Sequence, residues 1–307
     1  DGADAPGLGI SGSNSSRVLE IVAGVEVELR ALSITDGVAS PRGGGILNNG
    51  TLLLDGVVVA GNTENSAGPP NFEFGGGGIY NGSGASLDLV DTTVRDNTSV
   101  NQPAGGIYGF FGSTITITRS TVSGNIGGDV GGGLRSLGDA TIDNSTFSGN
   151  TSTAWHGGGV FHTDGRLSVT NSTFAENVAP DGTASGIVVA TFGAPATATL
   201  ENNVLQGNGG AFACAIEGGA AATITSLGSN VIGDGSCNPV GTDLANTDAL
   251  LGALADNGGP TLTHLPAVDS PAIDVVGGAC AATDQRGVVR PQGAACDAGS
   301  VEVATPT

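Results

Sequence analysis

The hydrophobic residues of the chain recur in short alternating runs, separated by turns of Gly, Asn and Asp. Each repeat opens with two small residues and an aliphatic one, and the copies are Gly44-Gly45-Ile46, Gly77-Gly78-Ile79, Gly105-Gly106-Ile107, Gly132-Gly133-Leu134, Gly158-Gly159-Val160 and, more weakly, Ser185-Gly186-Ile187. Successive aliphatic residues lie 33, 28, 27, 26 and 27 positions apart. A period of this length indicates a repeat architecture.

Each repeat contains three runs with a period of two, which is typical of strands. The second run carries a pair such as Leu87 and Leu89, and the third ends in Asn, as in residues 93–97. The sequence therefore predicts an all-β fold, a single-stranded right-handed parallel β-helix of seven to eight coils with three short strands per coil. Residues 1–240 are assigned to the β-helix, and residues 241–307 to a C-terminal capping segment and the start of a linker.

One coil cannot bury its apolar face alone, so stacked coils should align their inward residues in columns. Two columns are predicted, Ile46, Ile79, Ile107, Leu134, Val160 and Ile187 in one, and Val59, Val94, Val122, Phe147, Phe174 and Leu205 in the other. A β-propeller or a β-sandwich is the competing all-β interpretation, but propeller blades need about 40 residues each. The repeated Asn residues are predicted to form a corner ladder, because Asn tolerates left-handed turns and its amide can bond to the coils above and below; they are Asn62, Asn97, Asn125, Asn150, Asn177 and Asn208.

Composition and charge narrow the possible partners. The chain has 55 Gly among 307 residues, its nine basic residues are all Arg, and its formal net charge is −20. Such a charge repels nucleic acid and anionic membranes. An apolar run of about 20 residues, the length needed to span a membrane, is missing from the sequence. We therefore expect neither a nucleic-acid partner nor a membrane span in this chain.

The four cysteines predict two disulfides. Cys214 and Cys237 are 23 residues apart, close to one coil, and adjacent coils lie about 4.8 Å apart, within the disulfide Cα range of about 4.4–6.8 Å. Cys280 and Cys296 then pair by exclusion. The spacing does not fit a zinc site, and disulfides imply an oxidising compartment. The repeat stops near Asp243, and the segment that follows is expected to cover the C-terminal edge of the coils.

Two stretches resemble known families. Residues 77–81, Gly-Gly-Ile-Tyr-Asn, together with the Thr-Val/Phe-x-x-Asn ends, resemble the β-helix repeat of polymorphic outer-membrane proteins. Residues 256–261, 269–274 and 283–287 with Arg290-Pro291 resemble choice-of-anchor Q domain proteins. The resemblance implies a secreted β-helix tethered to the cell surface and no defined reaction. Proteins of this kind usually carry more sequence before the region that resembles residues 7–21, so the first coil is expected to be open and able to stack on a neighbouring copy.

Many parallel β-helices act on polysaccharides, so catalytic residues were sought. Arg95, Arg119, Arg135 and Arg166 occupy different repeat positions and are not expected to converge. The carboxylate pairs Asp88/Asp91 and Asp139/Asp143 fit turn and solvent roles better than a glycosidase pair. A Ser-His-Asp arrangement does not stand out among the three His. No catalytic residue, metal site or cofactor is predicted; calcium is the one ion considered, and no motif indicates it.

Aromatic residues are 4% of the chain, yet several cluster after the inward aliphatic residue. Alternation predicts that this stripe points outward, where it would bind a glycan or a partner; the alternative is that loops bury it. Its residues are Tyr80, Tyr108, Arg135, Trp155 and Phe161. Outward Thr columns, such as Thr121, Thr146 and Thr173, are a second candidate surface, for ice. The sequence thus favours a non-catalytic secreted or cell-surface scaffold or adhesin, possibly self-assembling into fibres, over a calcium-assisted lyase or a glycosidase.

Overall fold

The coils form four parallel sheets along one axis. The computed structural model describes residues 7–180, 184–210 and 212–304. Sheet 1 contains eight strands, Leu19–Ile21, Ile46–Asn48, Ile79–Asn81, Ile107–Gly109, Leu134–Ser136, Val160–Thr163, Ala184–Ala190 and Phe212–Glu217. Sheet 2 contains eight, Glu26–Arg30, Thr51–Asp55, Ser86–Val90, Thr114–Thr118, Asp139–Asp143, Gly165–Thr170, Ala196–Glu201 and Ala222–Gly228. The chain is therefore an all-β parallel β-helix of about eight coils, as predicted.

Sheet 3 is the longest and sheet 4 the shortest. The ten strands of sheet 3 are Gly9–Ser11, Ser33–Thr35, Val58–Ala60, Thr93–Arg95, Thr121–Ser123, Thr146–Ser148, Thr173–Ala175, Val204–Gln206, Val231–Ile232 and Leu244–Ala245. The five two-residue strands of sheet 4 are Val38–Ala39, Thr63–Glu64, Thr98–Ser99, Ile126–Gly127 and Thr151–Ser152. The first coils thus have a short fourth strand that the sequence analysis did not predict. A 3₁₀ turn, Gly219–Ala221, and an antiparallel pair, Leu251–Ala255 with Thr263–Pro266, complete the regular structure.

The two predicted columns form the centre of the core. In sheet 1, Ile79 pairs with Ile46 on one side and Ile107 on the other. In sheet 3, Val94 pairs with Val122, Val122 with Phe147, and Phe147 with Phe174. The rings of Phe147 and Phe174 are fully buried and stack with centroids 5.0 Å apart. Parallel, in-register pairing therefore places the same residue type one coil above the last, which buries apolar area that no single coil could bury.

The corner ladder extends along the solenoid through its side chains. The Asn97 amide Nδ2 donates to Asn125 Oδ1 at 3.0 Å, and Asn125 Nδ2 donates to Asn150 Oδ1 at 2.9 Å. The same bonds connect the series from Asn62 to Asn208. The expected left-handed geometry at Asn was wrong. The residue before each Asn adopts it, with φ between 54° and 66°, in Gly61, Asp96, Gly124, Gly149, Glu176 and Gly207.

The Gly-Gly motif and the Asn ladder are one packing unit. A Cβ on Gly78 would lie 3.0 Å from the Asn97 amide carbon, and one on Gly106 would lie 3.1 Å from that of Asn125. Only glycine at this position leaves room for the Asn side-chain amide of the same coil to pack at the corner. A second polar ladder, between sheets 2 and 3, was not predicted; its members are Thr92, Ser120, Ser145, Ser172, Asn203 and Asn230.

The corner between sheets 1 and 2 holds a buried histidine. His162 pairs in register with Ser136 and Val189, in the column that contains the bonded pair Asn48 and Asn81. Its side chain is fully buried, and this burial lowers its pKa, although the Gly165 backbone, Asp139 and Asp164 act in the opposite direction. The folded chain therefore holds a histidine that resists protonation.

His162 should make the fold sensitive to mild acid. Because its folded pKa lies below the unfolded value of about 6.5, the unfolded state takes up a proton first as the pH falls, and stability decreases by at most about 1.4 kcal/mol per pH unit. His162→Asn, which matches Asn48 and Asn81 in the same column, should flatten this slope. Urea unfolding at pH 7 and pH 5 measures both slopes, and identical slopes would contradict the prediction. Asp297, with its pKa raised to about 6 by burial, contributes with the opposite sign in both proteins.

The expected position of the C-terminal segment is confirmed only in part: Leu244–Ala245 pairs with Val231–Ile232 at the C-terminal edge of sheet 3, whereas the chain from Thr261 onward lies along the flank of the solenoid. Thr121 Oγ1 donates to the Leu262 carbonyl at 2.6 Å, Thr146 Oγ1 to Gln285 Oε1 at 2.7 Å, and Ser300 N to Thr173 Oγ1 at 3.0 Å. The outward Thr column of sheet 3 is therefore buried beneath this segment, and these three residues cannot form an exposed surface. Residues 305–307 of the predicted linker lie outside the described residues.

Both predicted disulfides are present. Cys214 bonds to Cys237 with a Cα–Cα distance of 5.0 Å, and Cys280 bonds to Cys296 with one of 6.5 Å. The first bridge continues the inward column of sheet 1, where Cys214 pairs with Ile187. The second lies within the C-terminal segment. No helix in the described residues has the length and hydrophobicity to cross a membrane.

Candidate functional site

The predicted aromatic stripe is mostly buried. Tyr80, Tyr108, Arg135 and Phe161 lie on the outer side of sheet 1, as alternation requires, but their exposed fractions are only 1%, 0%, 5% and 7%. Trp155 alone is open, with 56% of its surface exposed. The expectation of an exposed stripe was therefore wrong for four of the five residues.

Loops cover the stripe and bond to it. The Tyr108 hydroxyl donates to the carbonyl of Phe72, in the loop that precedes the third strand of sheet 1. The Tyr80 and Tyr108 rings stack with centroids 5.1 Å apart, and the Arg135 guanidinium lies over the Tyr108 and Phe161 rings at 5.9 and 5.2 Å. Burial raises the pKa of Tyr108 to about 12. Tyr80 and Tyr108 therefore form a buried layer beneath the covering loops.

A second tier of rings rests on this layer and meets solvent. Phe110 packs on Tyr108 with centroids 6.3 Å apart, and Phe111 packs edge-on against Phe110 at 5.0 Å. Phe192 then contacts Phe111 at 6.1 Å and Phe72 at 5.1 Å. Phe192 is 52% exposed. Of these four rings, Phe72 and Phe192 are exposed and Phe110 and Phe111 are half-buried, so the cluster is a candidate interaction surface.

Turn length at the corner between sheets 1 and 2 creates a recess beside these rings. The turns 110–113 and 191–195 contain four and five residues, whereas the two turns between them, 137–138 and 164, contain two and one. The long turns rise as walls, and the short turns form a floor two coils wide. We call this recess the corner notch; it has a volume of about 400 Å³ and is lined by Phe111, Ser113, Leu137, Asp139, Asp164 and Ala194, among others.

The Phe111 ring lines the corner notch, and the Phe192 ring contacts it from the second long turn. The strands Ile107–Gly109 and Ala184–Ala190 are three coils apart in sheet 1, which corresponds to roughly 14 Å. Phe111 and Phe192 follow these strands, yet their ring centroids are 6.1 Å apart, so the two side chains lean toward each other. Asp164 fixes one wall, because its Oδ1 accepts the backbone N–H groups of Gly193 at 3.0 Å and Ala194 at 2.8 Å.

Asp139 supplies a second carboxylate at the floor. Its Oδ1 accepts the Arg166 backbone N–H at 2.9 Å, and it lies over Gly165, where a Cβ would come within 2.9 Å of that oxygen. Gly165 also has φ +90°, so glycine is required there twice over. Ser113 adds a buried hydroxyl, which has no hydrogen-bond partner within the described residues. The corner notch therefore combines one aromatic side chain, Phe111, with two carboxylates, and a buried hydroxyl lies in its wall.

The carboxylate pairs considered from sequence are separated by other bonds. Asp91 accepts two hydrogen bonds from Arg119, at 2.9 and 2.8 Å, while Asp143 accepts from Thr170 and Asn171. Asp88 lies on the open face of sheet 2. The structure brings Asp139 to the recess that Asp164 lines, a pairing that sequence reasoning missed.

The arginines do not converge. Arg95 pairs with Asp96 on the surface, Arg119 with Asp91, and Arg135 lies beneath the loops of sheet 1. No arginine of the described part lines the corner notch. Within the described ranges, no group of three or more His, Cys, Asp or Glu side chains is arranged to hold a metal ion.

Five charged residues of the closing motif and one glutamine form a buried clasp, defined by Asp284, Gln285, Arg286, Arg290, Asp297 and Glu302. Arg290 and Glu302 form an ion pair at 3.2 Å with both side chains at 0% exposure, and Arg290 also donates to the carbonyls of Asp297 and Gly299, each at 2.7 Å. Asp284 Oδ2 accepts from Arg286 and from the Glu302 backbone. Burial lowers the pKa of Arg290. The clasp side chains therefore connect separate stretches of the C-terminal backbone to one another.

Gln285 joins the clasp to the solenoid. Its Nε2 donates to the Ser120 carbonyl at 3.2 Å and to Thr121 Oγ1 at 3.0 Å, and its Oε1 accepts from Thr146 Oγ1. The side chain is fully buried. Gln285 therefore forms hydrogen bonds with Thr residues of two adjacent coils. These bonds explain why the closing motif, far along the chain, packs on the outer face of sheet 3.

A family model describing a right-handed β-helix region matches residues 48–231, more than half of the chain. The protein belongs to the right-handed β-helix family. The match spans the coils that carry the Asn ladder and the corner notch, and it ends before the clasp. No curated protein and no solved structure shows a significant match to the chain.

Proposed function

We propose that this β-helix protein is an exported, non-catalytic scaffold that binds glycans at the cell surface. The clasp carries the proposal. Its acidic and basic side chains, the strongest candidates for acid–base chemistry in the closing motif, are bonded to one another and to backbone. Because these side chains are used to hold the C-terminal segment against the solenoid, they are not free to act on a substrate. We therefore assign ligand contacts to the turns that project from the solenoid.

The two disulfides support an oxidising compartment. The resemblance of residues 283–287 and Arg290-Pro291 to choice-of-anchor Q domain proteins supports tethering to the cell surface. The exposed rings beside the corner notch favour a glycan partner, because aromatic faces stack on the apolar faces of sugars. We propose no cofactor for this role.

Neighbouring copies are a second proposed partner. The first coil exposes Ile10, Val22 and Val25, and the last coil exposes Phe212 and Ile216. Among the described residues, the outermost strands of sheets 1 and 2 at these ends pair with a strand on one side only, and Asp234 and Ser236 accept the N–H groups of Ala213 and Cys214 at the last strand of sheet 1. Edges without a strand partner favour strand addition. End-to-end stacking would continue the columns from one copy to the next.

A polysaccharide-active enzyme is the alternative, favoured by the presence of two carboxylates, Asp139 and Asp164, at one recess. The two functions differ in whether the bound sugar changes. A glycan array followed by prolonged incubation with each bound glycan should show binding without new reducing ends or unsaturated products in mass spectra. Products that appear with the wild type and vanish in Asp139→Asn would establish the enzyme instead. Electron micrographs of the same preparation should show rods in multiples of one length if copies stack, and uniform monomers would remove that part of the proposal.

A further inference from the structure

We propose that the last coil of the solenoid binds a short extended segment of another protein, one that carries aliphatic side chains flanked by basic residues. This partner is distinct from a glycan and from a neighbouring copy of the chain. A gap in the cover of the last coil, the recess at that gap and the charge around it all point to such a segment.

Most of the last coil is covered by the chain that follows it. Three side chains of residues 234–238 bond to backbone groups at its edge: Asp234 accepts from the Ala213 N–H at 2.6 Å, Ser236 accepts from the Cys214 N–H at 3.0 Å, and Asn238 donates to the Ile224 carbonyl at 2.9 Å. In sheet 3, the strand Leu244–Ala245 pairs with Val231–Ile232. These groups take the place of bonds that a further coil would supply.

The cover has a gap at Ile216. This residue ends the column of sheet 1 that contains Asn81, His162 and Val189. Carbonyls of this column accept from the coil that follows, as Asn81 accepts from the Phe110 N–H at 2.8 Å. In a parallel ladder the N–H of a residue bonds to the same neighbouring strand as its carbonyl. Both backbone groups of Ile216 therefore face the outer edge, where no strand of the described residues pairs with them.

A recess of about 670 Å³ lies at this gap, and we call it the end recess. Ile216 belongs to an inward column, yet 41% of its surface is exposed because no further coil covers it. The apolar core is therefore open at this point, and an aliphatic side chain on an added strand would close it. The residues that line the end recess include Phe212, Cys214, Ile216, Ile224, Ser236 and Cys237.

The charge around the end recess favours a basic partner. Asp234 lines it, and Glu217 directly follows Ile216. Residues 212–246, which form the last coil and its cover, include no Arg or Lys. Basic residues beside the aliphatic ones of a partner segment would meet these carboxylates. The formal net charge of −20 would also speed the encounter with a cationic segment.

A second copy fits the gap less well than a single segment does. Cys237 is bonded to Cys214, the last residue of its inward column, and so stands where a further coil would continue that column. The first coil of a second copy would also bring Glu20, Glu26 and Glu28 to an acidic end. Stacked copies therefore require residues 234–238 to move first, whereas a short extended segment enters beside them.

The test is calorimetric titration of the whole, disulfide-bonded protein with the peptide acetyl-Ser-Arg-Ile-Thr-Val-Arg-Ser-amide. Two matched peptides isolate the interactions: one has Gln in place of both Arg, and the other has N-methyl groups on the three amides that alternate with Ile and Val. We expect binding of the first peptide, about threefold weaker binding of the Gln peptide, and at least about tenfold weaker binding of the N-methylated one, which cannot donate to the strand edge.

Ile216→Pro removes the outward N–H and shortens the aliphatic side chain without removing a bond between coils, as proline on an edge strand allows. It should weaken binding at least about tenfold, and circular dichroism checks that the protein folds. The matched control is Val268→Pro, which lies outside the end recess, 78% exposed, in a turn closed by the Ser270 N–H and the Ala267 carbonyl. Proline suits this turn position, so binding should change by less than about twofold.

Equal binding of the N-methylated peptide, or full binding by Ile216→Pro, would show that no strand is added at this edge. Failure of all three peptides to bind would also overturn the proposal. If light scattering instead shows self-association that Ile216→Pro abolishes, the occupant is a second copy and the partner segment is wrong. The glycan array does not depend on Ile216, so these outcomes are separate from failure of the proposed glycan-binding function.

Discussion

Replacing Arg290 by methionine should lower the free energy of unfolding by about 3–5 kcal/mol, the usual effect of breaking a buried ion pair. The substitution leaves the Glu302 carboxylate fully buried without its cation and removes two hydrogen bonds, to the carbonyls of Asp297 and Gly299. Methionine keeps much of the length and volume of the side chain, so the loss reports charge and hydrogen bonding more than a cavity. Urea unfolding measures the change.

The matched control is Arg95→Met, which breaks a pair that is about half exposed on both sides, Arg95 with Asp96. Its expected effect is within about 1 kcal/mol. The double variant Arg290→Met/Glu302→Leu should recover part of the loss, because it removes the stranded charge. A cost of Arg290→Met no larger than that of Arg95→Met would mean that the clasp does not hold the segment to the solenoid. Hydrogen exchange at Ser300, whose N–H bonds to Thr173, shows whether the segment detaches before the coils unfold.

The columns of the core could be predicted from sequence because a solenoid repeats its environment. Each inward position of one coil faces the same position of the next, so Val94, Val122 and Phe147 reveal their alignment through spacing alone. The Asn ladder was accessible for the same reason. Its link to the Gly-Gly motif was not, because the contact between Gly106 and Asn125 closes a corner across 19 positions of one coil, and period-two alternation does not describe corners.

Features that occur only once in the chain, outside the repeat, were predicted poorly. Alternation correctly placed Tyr80 and Tyr108 on the outer side of sheet 1, but it cannot show that the irregular loop bearing Phe72 folds over them. The closing segment was expected at the end of the coils because open edges need cover. Its actual position depends on Gln285 meeting hydroxyls of sheet 3, a match between two parts of the chain about 140 residues apart.

The corner notch had a sequence signal that was not used. The distance from the inward residue in register with Ile46 to the inward residue in register with Leu52 is 6, 8, 8, 6, 7 and 11 residues in successive coils. The short values mark low turns and the long values mark high ones, so a recess is expected at the fourth and fifth of these coils. Turn length, read coil by coil, therefore predicts surface relief on a solenoid where composition does not.

Asn125→Asp should cost about 3–5 kcal/mol at neutral pH, although it changes one atom. In the native ladder Asn125 Nδ2 donates to the Val94 carbonyl at 3.0 Å and to Asn150 Oδ1 at 2.9 Å. Aspartate places an oxygen opposite both acceptors and buries a charge with no cation beside it, and both changes are costly. The Oδ1 of the new aspartate still accepts both hydrogen bonds from Asn97, so the bonds lost are the two that the Asn125 Nδ2 donated.

The cost of Asn→Asp at other positions, and its dependence on pH, distinguish disruption of the buried ladder from the mere loss of an amide group. Asn65→Asp, on an exposed loop, should change stability by less than about 0.5 kcal/mol. Asn208→Asp, at the half-buried end of the ladder, should cost less than Asn125→Asp, since coil interfaces contribute to a solenoid's stability one by one. Burial raises the folded pKa of the new carboxyl above its unfolded value, so its cost should shrink as the pH falls through that folded pKa. Equal costs at all three positions, or a cost independent of pH, would show that the stacked coils do not depend on a continuous amide ladder.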